Sequence, residues 1–347
     1  MTENRTDLRS IEYDEMLKVI ESLGGKKFRR DQVYDWLHKK GADSYDDMSN
    51  IPASLKDELK KTYELNPIRI ERVQESALDG TKKYLFRLHD ENLIESVFMR
   101  YEHGNSVCVS TQVGCRMGCR FCASTIDGLV RNLTAGEMLA QVYGIMKETG
   151  ERISNVVTMG SGEPLDNYDE LTRFVMMLTD EHGLNISGRN VTVSTCGLVP
   201  KIYELADEEL TITLAVSLHA CSDEKRRELM PVANKYELAA LMDACRYYFD
   251  KTGRRLTFEY SLVKDANDTD EDAKGLVRLL KGMNCHVNLI PVNPVRERSY
   301  VQSTKQAVLA FKNKLEKNHI NVTIRREMGR DIDGACGQLR RRVISES

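Results

Sequence analysis

The sequence predicts an α/β protein: a parallel sheet closed or partly closed into a barrel, preceded by a small helical domain and a short β bridge. Three observations carry this expectation. Residues 1–67 place apolar side chains at helical spacing between glycine and proline stops; residues 68–100 change to short β runs; residues 101–347 alternate apolar strand-like runs with helical patterns.

In the first region Met16, Leu17, Ile20 and Leu23 fall on one helical face, which ends at Gly24 and Gly25. Val33, Trp36 and Leu37 repeat the pattern until Gly41. A third helix is expected from near Pro52, with Ser54 and Asp57 in capping-box spacing and Leu55, Leu59 and Tyr63 inward, and Pro67 closes the domain. In the bridge, residues 84–88 and 94–99 read as strands around Asp90-Glu-Asn, and Asp79-Gly80 marks another turn. In the third region strand-like runs occur at residues 107–109, 155–159, 191–194, 211–218, 256–262, 286–291 and 322–325. The first helix between them opens on Thr134-Ala-Gly-Glu137, a capping box, and continues through Met138, Leu139 and Val142. In parallel barrels the active site gathers at the carboxyl ends of the strands, and each motif below stands at such an end.

The chain has 347 residues, 41% hydrophobic and 30% charged, with a formal net charge of -3. That balance is ordinary for a soluble protein with a large core. It shows no apolar run of membrane-spanning length and no signal-peptide pattern in residues 1–14, so a cytoplasmic protein without membrane contact is expected. A near-neutral total does not advertise nucleic-acid binding; RNA contact would rest on local basic runs. These are Lys26–Arg30, Lys82-Lys83, Lys225–Arg227, Arg325-Arg326 and Arg340–Arg342, of which the first and last are the expected phosphate contacts.

Cys115, Cys119 and Cys122 stand in Gly-Cys-Arg-Met-Gly-Cys-Arg-Phe-Cys, a C-x3-C-x2-C spacing. Three thiolates on one tight loop can hold three irons of a [4Fe–4S] cluster and leave the fourth open to a substrate or cofactor. Zinc would want a fourth ligand and more often shows paired C-x2-C units, of which no second is present. The loop resembles the signature of the radical S-adenosylmethionine (SAM) superfamily, with Phe121 at its aromatic position. The resemblance implies that the amino and carboxylate groups of SAM chelate the open iron.

Gly160-Ser-Gly-Glu-Pro164 follows the strand-like run ending at Met159, where glycines allow close backbone approach and a carboxylate can accept from an ammonium group. A plain strand-to-helix turn is the alternative. By resemblance to the superfamily's Gly-Glu-Pro segment, Gly162 and Glu163 contact the SAM amino group. Ser194, the trio Ser217, Leu218 and His219, and Asn293 also end strand-like runs, and as a set they could orient a ligand's ribose and carboxylate; each alone could be a cap or turn residue. Cys108 precedes the cluster loop, and Cys336 lies in Gly329-Arg-Asp-Ile-Asp-Gly-Ala-Cys-Gly-Gln-Leu339. Neither has metal-ligand spacing to the other thiols; on composition alone both could be buried small hydrophobes.

The runs at 108–122, 132–137, 217–220, 230–232 and 331–339 resemble the RNA adenine methyltransferases of the radical SAM superfamily, the RlmN/Cfr type, over nearly the whole chain. Gly334 stands where alanine is more usual. The resemblance implies a partial (β/α)6 radical SAM barrel in residues 101–347, a β bridge in 68–100 and a helical, RNA-binding accessory domain in 1–67. It implies methylation of adenine carbon 2 in 23S rRNA, in the peptidyl-transferase region, and in the tRNA anticodon loop, with a [4Fe–4S] cluster and two SAM per turnover. Cys336 would be methylated and joined to the base through a thiomethylene radical, Glu95 would remove the carbon-2 proton, and Cys108 would release the product by forming a disulfide with Cys336. A flavodoxin- or ferredoxin-like electron donor and a monomeric state are further expectations. Two rivals are carbon-8 methylation, as in the Cfr-type sister group, and an iron–sulfur RNA-binding module that does not turn over. Cys196, Cys221, Cys245 and Cys285 match no functional position and read as core or surface thiols.

Overall fold

A computed structural model describes residues 5–292, 300–333 and 337–346. Asn293 and Cys336, two of the expected site residues, lie outside the described residues.

Helices α1 (Tyr13–Ser22), α2 (Phe28–His38) and α3 (Ala53–Thr62) form the first unit. Met16 and Ile20, Val33 and Leu37, and Leu55 and Leu59 are buried, as the apolar spacing requires. The start of α3 differs from expectation. Pro52 is its N-cap residue, so Ser54 is already inside the first turn and no side chain caps the helix. The chain closes on itself where the Leu8 amide donates to the Glu64 carbonyl at 2.7 Å.

Strands β1 (Arg69–Glu75), β2 (Lys82–Arg87), β3 (Leu93–Tyr101) and β4 (Gly104–Cys108) follow as an antiparallel meander. Then come the short β5 (Gln112–Gly114) and β6 (Leu129–Asn132), which pair with each other. From there strand and helix alternate: α4 (Ala135–Thr149), β7 (Asn155–Thr158), α5 (Tyr168–Thr179), β8 (Val191–Thr195), α6 (Val199–Asp207) and β9 (Thr213–Ser217). Two helices, α7 (Asp223–Leu229) and α8 (Leu238–Thr252), lead to β10 (Leu256–Leu262), α9 (Asp270–Leu280) and β11 (Cys285–Pro291). The chain finishes with α10 (Lys305–Lys317), β12 (Asn321–Ile324) and α11 (Gln338–Glu346).

One ten-stranded sheet results, in the order β1-β2-β3-β4-β7-β8-β9-β10-β11-β12. It is parallel from β4 to β12. Six strand–helix units starting at β4, β7, β8, β9, β10 and β11, followed by β12, make the partial barrel. Its central strands β8, β9 and β10 are buried along most of their length because helices cover the outer face, and Leu256, Phe258, Tyr260 and Leu262 of β10 are all fully buried. The β bridge continues the same sheet, with Val97 on β3 opposite Cys108 on β4.

The capping box of α4 forms as predicted: the Glu137 amide donates to Thr134 Oγ1 and the Thr134 amide to Glu137 Oε2, both at 3.1 Å. The helical unit packs on this side of the barrel. The Tyr34 hydroxyl donates to Asp180 at 2.9 Å, the Gly136 amide donates to Ser10 Oγ at 2.9 Å, and His38 Nδ1 lies 2.9 Å from the Tyr143 hydroxyl. Burial takes the His38 imidazole down to about 3, so this contact is between neutral groups.

Candidate active site

The β5–β6 ladder closes the base of the loop that carries Cys115, Cys119 and Cys122. The Cys115 amide donates to the Gly128 carbonyl at 2.9 Å. A side chain at Gly114 would place its Cβ 2.0 Å from that same carbonyl, and its φ is +77°, so only glycine fits this crossing. Thr125 Oγ1 donates to the carbonyls of both Cys119 and Cys122 at 3.0 Å, which tightens the loop around the thiols. Burial, and then the charges of Glu163, Cys122 and Asp166, push the Cys115 thiol up to about 12. Cys119 is raised by burial and by Cys122 and Cys115. Thiols raised in this way by burial and by neighbouring acids and thiols, as Cys115 and Cys119 are, are stable as thiolates only beside a positive centre. Among the described residues no three His, Cys, Asp or Glu side chains close on a single ion. An all-thiolate set on one loop is the donor chemistry of iron–sulfur clusters.

The three cysteines line a cavity of about 210 Å³ with Gly162, Glu163, Ser194, Ser217 and His219. Leu218 is not on its wall: its side chain is fully buried in the core, its amide donates to the Glu259 carbonyl, and its carbonyl accepts from Arg226 Nε. Glu163 is buried, and that pushes its carboxyl up, while the bonds it accepts hold it down. These come from Thr195 Oγ1 at 2.7 Å, the Cys196 amide at 2.7 Å and the Leu165 amide at 3.1 Å. The close approach allowed by the glycines beside it is to the chain's own residues. A Cβ at Gly160 would meet the Val109 carbonyl at 2.6 Å, and one at Gly162 would meet Gln112 and Thr111 at 2.7 Å.

His219 adopts a left-handed φ of +55°, and its Nδ1 accepts the Ser261 amide at 2.9 Å. Burial, with the nearby Arg226 charge, lowers its pKa to about 3. The ring is therefore neutral with its proton on Nε2, a donor in the cavity. Phe121 packs edge-on against it, with centroids 4.9 Å apart.

A second cavity, of about 480 Å³, is lined by Glu95 and Cys108 and by the C-terminal segment through Ile332 and Gln338. It shares Met159, Gly160, Ile290 and Arg325 with the cysteine cavity, so the two adjoin. Glu95 is buried and pairs with the fully buried Lys83 at 2.9 Å. Its Oε2 also accepts the Gly337 amide and its Oε1 the Arg340 amide, both at 2.6 Å. A carboxylate at the start of α11 meets unpaired amides and the positive end of the helix. Burial raises the Cys108 thiol, while Arg325 and Lys83 draw it down.

The acidic residues of the C-terminal motif fasten its segment to the β1–β2 hairpin. Asp331 accepts Ser76 Oγ at 2.5 Å and the Ala77 amide at 2.8 Å; Asp333 accepts Gln74 Nε2 at 3.0 Å and pairs with Arg342 at 2.7 Å. Gly337, with φ +80°, lies so close to the end of the cluster loop that a Cβ there would be 3.0 Å from Ala123 Cβ and Ser124 N. The residue after Cys336 therefore touches the residue after Cys122.

Several basic runs are spent on internal partners. Lys83 and Arg226 are fully buried, and Arg226 donates to the carbonyls of Leu218, Cys196 and Ser217. In the last run, expected to meet phosphate, Arg340 is buried, Arg341 pairs with Asp127 at 3.0 Å and Arg342 with Asp333. In the first run Arg30 pairs with Asp31, while Phe28 is exposed beneath Arg29.

Residues 109–280 match the Radical SAM superfamily, and residues 6–65 match the Ribosomal RNA large subunit methyltransferase N-terminal domain. A Lachnospira eligens protein named "Probable dual-specificity RNA methyltransferase RlmN" is 62% identical over 341 residues, covering 98% of this chain and 97% of that protein. The chain belongs to the RlmN family. A Clostridium botulinum (strain Eklund 17B) protein of the same name is 59% identical, with 95% of each chain covered. The crystal structure of a radical SAM methyltransferase from Sphaerobacter thermophilus superposes with a TM-score of 0.91 at 42% identity, covering 96% of this chain and 98% of that one. The fold of this RlmN-family member is therefore the radical SAM barrel with the family's N-terminal domain. Among the described residues no helix is long and apolar enough to cross a membrane.

Sequence reasoning missed Glu259 and Arg325. Glu259 is a buried carboxylate in the cysteine cavity; burial pushes it up to about 7, against Arg325 and a 3.0 Å bond from Asn288 Nδ2. A lone carboxylate inside Leu-Thr-Phe-Glu-Tyr-Ser-Leu was the available signal. Arg325 stood in a basic run, but only the fold brings it to both cavities.

Proposed function

We propose that this chain is a radical SAM methyltransferase that methylates carbon 2 of adenine in 23S rRNA and in the tRNA anticodon loop, working through Cys336 and Cys108. The observation that carries the proposal is the adjoining pair of cavities. One holds the three-cysteine loop; the other holds Cys108 and Glu95, and Glu95 accepts the amide of Gly337, the residue after Cys336.

Cys115, Cys119 and Cys122 would hold the cluster, and Gly162, Glu163, Ser194, Ser217 and His219 would surround SAM, with Leu218 fixing the strand end between Ser217 and His219. When bound, the cluster and two SAM per turnover supply the methyl group and the one-electron chemistry that activates it. The protein's part is nucleophilic and acid–base. Cys336 accepts the methyl group as a thiolate and carries the carbon that joins adenine carbon 2. Glu95 takes the carbon-2 proton; its Oε1 accepts one amide and keeps lone-pair capacity. Cys108 then attacks the sulfur of Cys336, so the disulfide forms as the methylated base leaves. Lining the second cavity keeps Cys108 off the cluster and available as a thiol. An electron donor of flavodoxin or ferredoxin type, a cytoplasmic setting and a monomer complete the proposal.

Anaerobic reconstitution with methyl-labelled SAM, reductant and RNA, followed by digestion to nucleosides, tests it. Label in 2-methyladenosine is expected; label at carbon 8 would overturn the position, and no methyladenosine would overturn the function. Cys108→Ala should accumulate RNA bonded to Cys336, and normal turnover by that variant would remove the disulfide step.

A further inference from the structure

We propose that a third cavity, opening from the Cys108–Glu95 cavity, is a subsite for the nucleotide next to the target adenosine in the same RNA strand. The inference rests on the RNA substrate proposed above and names how the strand is held. This cavity measures about 480 Å³, within the range of pockets that enclose a small ligand, and shares Pro291, Gln302, Arg325, Arg326, Glu327 and Arg330 with its neighbour. A strand whose target base enters one cavity delivers the next base to the mouth of the other.

Its chemistry is that of a nucleotide: apolar walls with cations at the rim. Leu78 and Leu309 line it and are 70% and 51% exposed, large apolar side chains that no described residue covers. Val308 and Ile324 complete the apolar wall. The side chains of Arg325, Arg326 and Lys305 also line it, and no described residue forms an ion pair with any of them. The acids present are engaged: Glu327 pairs with Arg330 at 2.7 Å, and Asp79, held down to about 2, accepts the amides of Gly329 and Thr81 at 3.0 Å. The balance therefore favours a phosphate. Leu78 is held in place because Asp331 grips the hairpin turn through Ser76 and Ala77, the same contact that fastens the Cys336 segment. Docking the reactive segment and building this wall are one event.

This arrangement favours single-stranded or loop RNA, since both bases must leave the stack. Unstacked bases held on a protein surface are bound largely regardless of identity, by their faces, and their phosphates by cations.

The test uses the reconstituted holoprotein with SAM and a fluorescent RNA hairpin carrying one adenosine in its loop, read by anisotropy. Replacing one of the two flanking nucleotides by an abasic site should weaken binding to wild type about tenfold or more. Leu309→Asp, at an exposed position on α10, should weaken binding to intact RNA similarly and leave binding to the abasic RNA unchanged. Arg326→Ala should lower the salt dependence of log K by about 0.7, one phosphate on a single strand. If neither abasic RNA binds more weakly, or if Leu309→Asp weakens intact and abasic RNA alike, the subsite is refuted. Methylation of the same hairpins separates the two proposals. Product without coupling removes the subsite alone; coupling without 2-methyladenosine removes the reaction alone.

Discussion

Replacing Glu95 by glutamine tests how the segment carrying Cys336 is held. Glu95 and Lys83 are 2% and 0% exposed and 2.9 Å apart, and the same carboxylate accepts the amides of Gly337 and Arg340 at 2.6 Å. Glutamine is nearly isosteric but has one acceptor oxygen. If that oxygen stays with Gly337 and Lys83, the amide NH2 faces the Arg340 N–H, donor against donor. Lys83 meanwhile keeps its charge in a dry site and loses the Glu95 carboxylate. Breaking a buried pair by removing one partner costs about 3–5 kcal/mol. The lost amide bond belongs to the same event and is not added to that figure.

The loss should fall on the docked segment, because two of the three contacts come from it. At tenfold per ~1.4 kcal/mol, ~3 kcal/mol corresponds to roughly a hundredfold faster local opening. Amide hydrogen exchange read by mass spectrometry should show this in residues 337–346, with β8 peptides as the unchanged control. Lys83→Met in the Glu95→Gln background should recover part of the protection, since no buried charge is then separated from its carboxylate. Exchange within threefold of wild type in residues 337–346 would refute the account. An equal increase in β8 would show instead that the pair holds the sheet and not the segment.

Gly337→Ala forces a side chain into φ +80° and within 3.0 Å of Ala123 Cβ and Ser124 N. It should slow S-methylation of Cys336, read by peptide mass, at a cost of about 1–3 kcal/mol in docking; methylation at the wild-type rate would count against the contact. Glu259→Gln should remove a pH dependence from the protein without SAM. The Glu259 carboxyl rises from 4.5 to about 7, so its contribution to stability is present below 4.5 and is lost as pH climbs through 7. The gap between variant and wild type should widen by about 3 kcal/mol in denaturant titrations from acid to mildly alkaline pH, and a constant gap would refute it. Gly162→Ala, at φ +112° with Gln112 and Thr111 at 2.7 Å, should cost about 2–5 kcal/mol in the same assay. A loss below about 0.5 kcal/mol would mean that the turn relaxes freely.

What was legible in the sequence was what local chemistry decides. The Thr134–Glu137 box, the β10 run and the three-cysteine loop depend on neighbours within a few residues, and each is present. The Ser54–Asp57 box failed because Pro52 already occupies the N-cap, a fixed-φ residue outranking a side-chain hydrogen bond. The first bridge strand was unnamed because β1, Arg-Ile-Glu-Arg-Val-Gln-Glu, is exposed along nearly all its length and lacks an alternating buried face. Cationic runs were the hardest to read. Lys83 finds Glu95, Arg341 finds Asp127 and Lys225 finds Asp272, at separations no local pattern encodes. Arg325 and Arg326, which form no ion pair with a described residue, belong to a run that received no special weight.

The separation of the two sets of thiols follows from the sheet order. β4 pairs with β3 on one side and β7 on the other, so Cys108 lies between Val97 and Val157. Just beyond it the chain must turn out of the sheet to reach β5 and the cluster loop. That turn is packed against Gly160 and Gly162 so tightly that no side chain fits between them. The strand that carries Cys108 thus also delivers Cys115, yet the glycine-walled turn sends the two into different cavities, with Gly160 on the wall of both. In the proposed reaction Cys108 ends the cycle in a disulfide, so it would have to stay near the three-cysteine loop without joining it. In the proposed reaction a shifted turn would no longer keep Cys108 apart from the three-cysteine loop, so those glycines would serve it through the backbone, whether or not they touch a ligand.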